Sequence, residues 1–124
     1  MIYTSYFANL RNLPDNIVPI SICTKSPTWY TGLEYKPLAP GYGIMLIWKK
    51  DRDLERFRSA YIENSLDRLE PIHVLLECNS MLDNDTQDIC IICYEKPDDV
   101  CHRHFVSQWL RNNGFQCEEW GNCN

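Results

Sequence analysis

Runs of apolar residues alternate along the chain with polar turns, and they predict short strands separated by helices. Residues 2–7 and 17–23 are rich in isoleucine and in aromatic or hydroxyl side chains, which is typical of strands. Residues 89–93 form a short apolar run that ends in Lys-Pro-Asp-Asp, and they are predicted to be a buried strand. Residues 115–120 alternate and contain two glutamates, which indicates a last strand at the edge of a sheet.

Helical spacing is found between these strands. In residues 51–69 apolar side chains recur with helical periodicity, namely Leu54, Phe57, Ala60, Tyr61 and Leu66. The charged residues between them, Arg52 included, are interpreted as a solvated face. A proline in first position predicts a further helix over residues 71–82. Residues 99–113 are predicted to form the last helix, with Asp98 as its N-cap and Gly114 just past its end.

Residues 24–43 contain three prolines and three glycines, which predict a long loop with scattered aromatic residues. Trp29 and Tyr30 suit a lid that stacks on a base, and two lysines could contact its phosphate, Lys25 and Lys36. The alternative is that these aromatic rings only cover one end of the core. Residues 44–48 are predicted to be a third strand or the inward-packing end of this loop.

Together these elements predict one small α/β domain over residues 1–124, Rossmann-like, with a mostly parallel sheet flanked by helices and a long aromatic loop. A chain of 124 residues is long enough to bury about two-thirds of the surface that its unfolded form exposes. In such a sheet, ligands bind in the crevice beyond the carboxyl ends of the strands. We expect that crevice at the ends of the first, second and residue-89 strands.

The charge balance narrows the classes of partner. A net charge of −5 disfavours broad nonspecific binding to nucleic acid or to membranes. No run approaches the ~18 apolar residues of a membrane-spanning helix, and the start of the chain lacks the pattern of a signal peptide. We therefore expect a soluble, cytoplasmic protein.

The seven cysteines are odd in number and several lie in predicted strands or helices, which favours reduced thiols.

The candidate chemistry lies in residues 89–104, which hold thiols, a carboxylate, imidazoles and a guanidinium. Cys101 is predicted in the first turn of a helix near His102, where its pKa can fall and supply a thiolate. Cys93 is the second candidate nucleophile, while Glu95 and His102 are candidates for moving protons. Arg103 and the helix start could hold a phosphate or a carboxylate. These residues, all from one stretch, form the candidate catalytic and anion-binding set.

Simpler roles are open for the same residues. A buried cysteine can act as a small apolar side chain, and His102 can merely bond a strand-end carbonyl. His104 is predicted to point to water. Three strand-end hydroxyls are candidates to face the ligand, or else to cap backbone: Thr4, Ser5 and Ser21.

A metal site is a further alternative, although no cofactor is predicted from a recognised motif. Cys90 and Cys93 have the spacing of half a zinc knuckle, but alternation along a strand would send them to opposite faces. Zinc held by Cys93, Cys101 and His102, with Glu95 as a further ligand, is easier to build because the turn can bring these residues together.

The residue 89–104 sequence carries a family resemblance. Ile-Cys-Ile-Ile-Cys-Tyr-Glu-Lys-Pro-Asp-Asp-Val-Cys-His-Arg-His, followed by Phe-Val and Trp-Leu pairs, resembles the C-terminal motif of the domain of unknown function 488 (DUF488) family. In that family a strand ending in Cys-x-Glu leads into Cys-His-Arg at a helix start. The resemblance implies that the site comprises Cys93, Glu95, Cys101, His102 and Arg103. Three earlier segments resemble the first half of shorter members more loosely: residues 3–5, 20–29 and 38–40.

The chain departs from the family pattern in two places. Members typically have Gly-His after the threonine of the first strand, and Asp-x-Arg after the second strand. Here those regions hold Ser5-Tyr6 and Ser21-Ile22-Cys23. The resemblance implies a ligand related to nucleotides or nucleic acid. We therefore expect either a site that binds and processes such a phosphate-bearing ligand, or a binding module without chemistry that holds a nucleotide or a protein partner.

Overall fold

A five-stranded parallel sheet organises the part of the chain that the structure describes. The structure, a computed structural model, describes residues 1–83, 87–94 and 101–121. Its strands are β1 (Ile2–Tyr6), β2 (Ile17–Ser21), β3 (Leu33–Glu34), β4 (Asp88–Cys93) and β5 (Cys117–Glu119). They lie in the order β3-β2-β4-β1-β5, and every pair is parallel. The predicted small α/β domain with a parallel sheet is therefore confirmed.

Strand β4 lies at the centre of this sheet. It pairs with β1 on one side and with β2 on the other, and each of its residues from Ile89 to Cys93 is buried. A parallel strand that is covered on both faces has a continuous apolar sequence rather than an alternating one. This explains why the short run at residues 89–93 predicts the strand correctly.

The described residues form four α-helices, three between β3 and β4 and one between β4 and β5: α1 (Tyr42–Asp51), α2 (Leu54–Asn64), α3 (Pro71–Ser80) and α4 (His102–Asn112). Short 3₁₀ segments occupy Phe7–Asn12, Lys36–Leu38 and Leu66–Arg68. Among the described residues, no helix combines the length and the apolarity that crossing a bilayer requires.

Helix α1 corrects the prediction for residues 44–48. This apolar run is neither a strand nor the end of a loop, because it forms the middle of a ten-residue helix that begins after Gly41. Lys49 and Lys50 lie in its last turn, where cations interact favourably with the helix dipole. A run of five apolar residues is too short to show helical periodicity, and this is why it is ambiguous in the sequence.

The predicted helix over residues 51–69 is shorter in the structure. Asp53 caps α2, since its side chain accepts a hydrogen bond from the backbone N–H of Arg56. The α-helical geometry ends before Ser65 and continues only as a 3₁₀ segment. The predicted loop over residues 24–43 likewise contains β3 and one 3₁₀ segment, so its second half is more regular than expected.

The last helix begins later than predicted. Helix α4 begins at His102, and Cys101 is its N-cap with extended backbone angles of φ −148° and ψ 144°. Cys101 therefore precedes the first turn instead of lying in it. Asp98, the predicted N-cap, lies outside the described residues. Gly114 follows the helix with φ +88°, a conformation that glycine adopts without strain, as predicted.

Tyr61 of α2 joins the helical layer to the segment that precedes α1. It is fully buried, and its hydroxyl donates a hydrogen bond to the carbonyl oxygen of Leu38 at 2.6 Å. Its ring also contacts the rings of His102 and Phe105, at centroid distances of 5.4 and 6.1 Å. Tyr61 therefore helps to fix both the start of α4 and the approach to α1.

We expect Tyr61→Phe to lower the free energy of unfolding by about 1–2 kcal/mol, because the buried carbonyl of Leu38 loses its donor. Urea unfolding followed by circular dichroism measures this change. Tyr42→Phe is the matched control, since the Tyr42 side chain is exposed and the substitution should leave stability unchanged. Equal effects of the two substitutions would contradict the role of the Tyr61 hydroxyl.

Candidate functional site

The end of β4 and the start of α4 bring together Cys93, Cys101 and His102. One potential ligand atom from each residue lies within 4.8 Å of those of the other two, and all three residues are buried. The parallel sheet places the end of β4 at its carboxyl edge, and α4 begins beside that edge. The predicted convergence of these three side chains is thus present in the structure.

Cys93 and Cys101 are joined as a disulfide, with their Cα atoms 7.1 Å apart. This differs from the expectation that all the cysteines are reduced. The pairing follows from the fold, since Cys93 ends β4 and Cys101 immediately precedes α4, beside the same edge of the sheet. Four other cysteines among the described residues are free and buried: Cys23, Cys78, Cys90 and Cys117.

His102 is held in one orientation by a backbone carbonyl. Its Nε2 lies 2.7 Å from the carbonyl oxygen of Ile22, just beyond β2, and a carbonyl can only accept a hydrogen bond. The proton of the neutral ring therefore lies on Nε2, and the lone pair of Nδ1 points to the sulfur of Cys101, 3.8 Å away. Burial lowers the pKa of His102 to about 4, so the ring is neutral at pH 7.

Arg103 does not have the role that the sequence indicates. Its side chain is fully buried and forms an ion pair with Glu119 of β5, through Nε at 3.2 Å and Nη2 at 3.0 Å. A third nitrogen donates to the sulfur of Cys93 at 3.3 Å. With these partners the guanidinium stabilises the sheet edge and the Cys93 sulfur, and is not available to hold the anion of a ligand.

A pocket of about 450 Å³ opens above the cysteine and histidine cluster. Its floor includes Cys93, Cys101 and His102. Its walls come from the segment after β2, the end of β4, and helices α1 and α2, and they comprise Cys23, Thr24, Lys25, Pro40, Tyr42, Met45, Trp48, Lys49, Arg52, Phe57 and Tyr94. The crevice therefore lies at the ends of β2 and β4, and the end of β1 does not contribute to it.

Three cations and four aromatic side chains characterise the pocket walls. The cations are Lys25, Lys49 and Arg52, and no carboxylate occurs among the described residues that line the pocket. The guanidinium of Arg52 lies 5.2 Å from the ring centre of Trp48, a cation–π contact. Sequence reasoning missed most of these residues because it did not predict α1, and it interpreted Arg52 as part of a solvated face.

A comparison with protein-family models confirms the family resemblance of residues 89–104. A family model, DUF488-N3a, described as the active DUF488-N3 subclade, matches residues 9–114. The chain belongs to the DUF488 family. The match includes the cluster and all the described residues that line the pocket, whereas β1 and Glu119 lie outside it. No curated protein and no solved structure gave a significant match to the chain.

The strand-end hydroxyls that were predicted to face the ligand form hydrogen bonds within the fold. Thr4 donates to a carboxylate oxygen of Glu119 at 2.6 Å, and Ser5 accepts a hydrogen bond from Asn9 at 3.1 Å. Ser21 bonds the hydroxyl of Ser26 at 2.7 Å. All three hydroxyl residues are buried, and none lines the pocket.

The two aromatic residues predicted to form a lid also lie away from the DUF488 pocket. The rings of Trp29 and Tyr30 pack on Phe7, at centroid distances of 5.8 and 5.2 Å. The Tyr30 hydroxyl donates to the carbonyl oxygen of Leu33 at 2.6 Å. These rings cover one end of the core, which was the alternative interpretation of the loop.

Two further site predictions have different outcomes. Glu95, the candidate acid or base, lies outside the described residues. His104 is half-buried, with its Nε2 shielded from solvent, so the prediction that it points to water is wrong. Helix α4 packs against both the sheet and α2, which leaves it a narrower solvated face than the sequence indicates.

Proposed function

We propose that the pocket binds a nucleotide, or a related ligand with an aromatic ring and a phosphate, and presents it to the Cys93, Cys101 and His102 cluster for processing. The observation that carries this proposal is the composition of one continuous wall. Aromatic rings, cations and a thiol–imidazole cluster all line the same cavity. A nucleotide offers a complementary partner for each of these groups.

The phosphate would lie among Lys25, Lys49 and Arg52. The described lining residues include these three cations and no carboxylate, so they form a local positive region on a chain whose net charge is −5. Charge-assisted hydrogen bonds from lysine and arginine to phosphate are short and strong. These charges support binding of the anion at the pocket wall, whereas the sequence indicated Arg103.

The base would stack on the aromatic side of the pocket. Tyr42, Trp48 and Tyr94 line it, and the ring of Trp48 is supported by Phe57 at a centroid distance of 5.3 Å. A cavity of about 450 Å³ lies within the range of roughly 300–1,000 Å³ that is usual for small-molecule sites. This size favours a single nucleotide over a longer nucleic acid.

Processing would take place at the floor of the pocket. Either sulfur can act as a nucleophile or a metal ligand once it is reduced, and the neutral His102 can accept a proton at Nδ1. The matching family model is described as an active subclade, which supports chemistry over simple binding. Four free buried cysteines fit a reducing compartment, and we propose that the protein works in the cytoplasm.

A thermal-shift panel tests the binding step. Nucleoside mono-, di- and triphosphates are compared with the free nucleosides and with inorganic phosphate, using reduced protein. We expect a nucleotide to stabilise the protein by roughly 2.7 kcal/mol when present at a hundred times its dissociation constant. At the same concentration, free nucleosides and inorganic phosphate should each stabilise the protein less than the nucleotide does, because each occupies only part of the site.

The same mixtures, incubated and separated by chromatography, distinguish processing from binding. Conversion of the stabilising nucleotide, lost in a Cys93→Ser/Cys101→Ser variant, supports an enzyme. Stabilisation without conversion would indicate the binding module. If no member of the panel shifts the unfolding transition, the nucleotide proposal is wrong.

A further inference from the structure

We propose that in the reduced protein Cys93, Cys101 and His102 bind a zinc ion whose fourth coordination position faces the pocket. Two thiolates and one imidazole are a donor set that zinc favours, and the three potential ligand atoms already lie within 4.8 Å of one another. The zinc site does not depend on which ligand the pocket takes. Its catalytic use, described below, rests on the proposed function.

The distance between sulfur and nitrogen suits tetrahedral zinc. With Zn–S near 2.3 Å and Zn–N near 2.0–2.1 Å, a tetrahedral ion separates the two donor atoms by roughly 3.6 Å. The sulfur of Cys101 lies 3.8 Å from Nδ1 of His102. An ion between them therefore requires only a small movement of the ring or the thiol.

The backbone separation of the two cysteines also favours a bridging ion. Their Cα atoms are 7.1 Å apart, beyond the 4.4–6.8 Å that disulfides usually span. Two sulfurs bound to one zinc lie about 3.8 Å apart, so the metal can join them without bringing the backbones closer.

His102 already has the hydrogen bond that a metal-binding imidazole requires. A ligating histidine almost always donates its other N–H to a carboxylate or a backbone carbonyl, which fixes the tautomer and aims the free nitrogen at the metal. Here Nε2 donates to the carbonyl oxygen of Ile22 at 2.7 Å, and Nδ1 faces the sulfurs. The ring is thus oriented as a ligand even though it is buried.

The charges around the cluster balance when zinc is bound. Two thiolates neutralise the divalent ion, while Arg103 is neutralised by Glu119 at 3.0 Å. Arg103 also donates to the sulfur of Cys93 at 3.3 Å, as an outer-shell group does to a metal-bound thiolate. Buried charges are costly unless they are paired, so this arrangement suits an ion in a largely buried position.

The fourth position is what would make the site catalytic. Structural zinc sites are closed by four protein ligands, whereas catalytic sites have three and keep water in the fourth position. All three proposed ligands line the pocket, so that water would face the bound ligand. Zinc lowers the pKa of its water to about 7. The resulting hydroxide would attack a phosphorus atom of the bound nucleotide: a new P–O bond forms, the P–O bond to the leaving alcohol or phosphate breaks, and the leaving oxygen takes a proton from water.

The test measures zinc in protein purified with a reductant and without added metal. We expect about one zinc ion per chain by mass spectrometry of the digested protein. Cys93→Ser, Cys101→Ser and His102→Ala should each reduce that content severalfold. Cys23→Ser is the matched control: Cys23 lines the same pocket outside the cluster, its thiol pKa is raised to about 11 by burial, and zinc content should stay at the wild-type level.

Cobalt substitution of the wild-type protein keeps the test independent of variants that fail to fold. Cobalt bound by two thiolates and an imidazole gives intense tetrahedral d–d bands and a sulfur-to-cobalt charge-transfer band. Reduced wild-type protein that neither contains zinc nor develops these bands would overturn the proposal, as would equal zinc loss in Cys23→Ser. Neither measurement uses a nucleotide, so failure of the zinc site is distinct from failure in the thermal-shift panel.

Discussion

Glu119→Gln is expected to lower the free energy of unfolding by about 3–5 kcal/mol. The substitution keeps the shape of the side chain and removes its charge, so the buried guanidinium of Arg103 loses the carboxylate that lies 3.0 Å from it. Arg103 is fully buried. The carboxylate of Glu119 accepts hydrogen bonds from two nitrogens of Arg103 and from the hydroxyl of Thr4. The effect should be large because the guanidinium is buried and has little contact with water. Urea unfolding of the reduced protein measures it.

A double variant, Arg103→Met/Glu119→Leu, shows whether stability is lost through the broken ion pair or through poorer side-chain packing. Replacing both members of a buried pair by apolar side chains is often neutral or stabilising, so this variant should regain most of the lost stability. If the double variant is as unstable as Glu119→Gln, the loss comes from shape and the ion-pair explanation fails. The comparison also shows whether β5 needs this pair to dock at the sheet edge.

Reversing two charges at the pocket wall, Lys49→Glu/Arg52→Glu, should weaken binding of the nucleotide found in the panel by about 100-fold or more. Each lost charge-assisted contact is worth roughly 1.5–3 kcal/mol, and each 1.4 kcal/mol changes affinity tenfold. Both residues are exposed, so the protein should remain folded. Isothermal titration calorimetry gives the dissociation constants directly.

The matched control for this change is Lys50→Glu/Arg58→Glu. It alters the net charge by the same amount at two exposed cations that do not line the pocket. We expect affinity to change less than threefold at physiological ionic strength, because salt screens charges that lie outside the site. Comparable losses in both variants would assign the effect to overall charge and would remove the pocket cations from the proposal.

The backbone of Arg52 adds an independent reason to examine that residue. It has φ +54° in the left-handed region, which costs a non-glycine residue roughly 1–2 kcal/mol. Glycine would adopt this helix end without strain. An arginine at such a position is consistent with use of its side chain, and here that side chain stacks over Trp48 at the pocket wall.

Much of the fold could be predicted because the decisive segments have simple patterns. Strand β4 is buried on both faces and therefore has a continuous apolar sequence, while α2 shows a clear helical stripe around Phe57. Helix α1 could not be predicted, since its apolar side chains are consecutive and Gly41 and Gly43 flank its start. Its conformation is set by packing against α2, which a local pattern does not record.

The site was predictable only in part, for a related reason. Cys93, Cys101 and His102 are close in sequence, so a strand followed by a helix is enough to bring them together. The partner of Arg103 is Glu119, sixteen residues later on an edge strand, and no local pattern links the two. Lys49 and Arg52 reach the pocket only through the placement of α1, so their role could not be seen without the fold.

The position of α1 separates two properties of this pocket. Most of the rings and cations on its wall come from one helix and the residue after it, whereas the sulfur and imidazole groups come from β4 and α4. Substitutions within a ten-residue segment can therefore change which ligand enters without altering the reactive groups beneath. Relatives that share the cluster but differ in this segment should act on different ligands by the same chemistry.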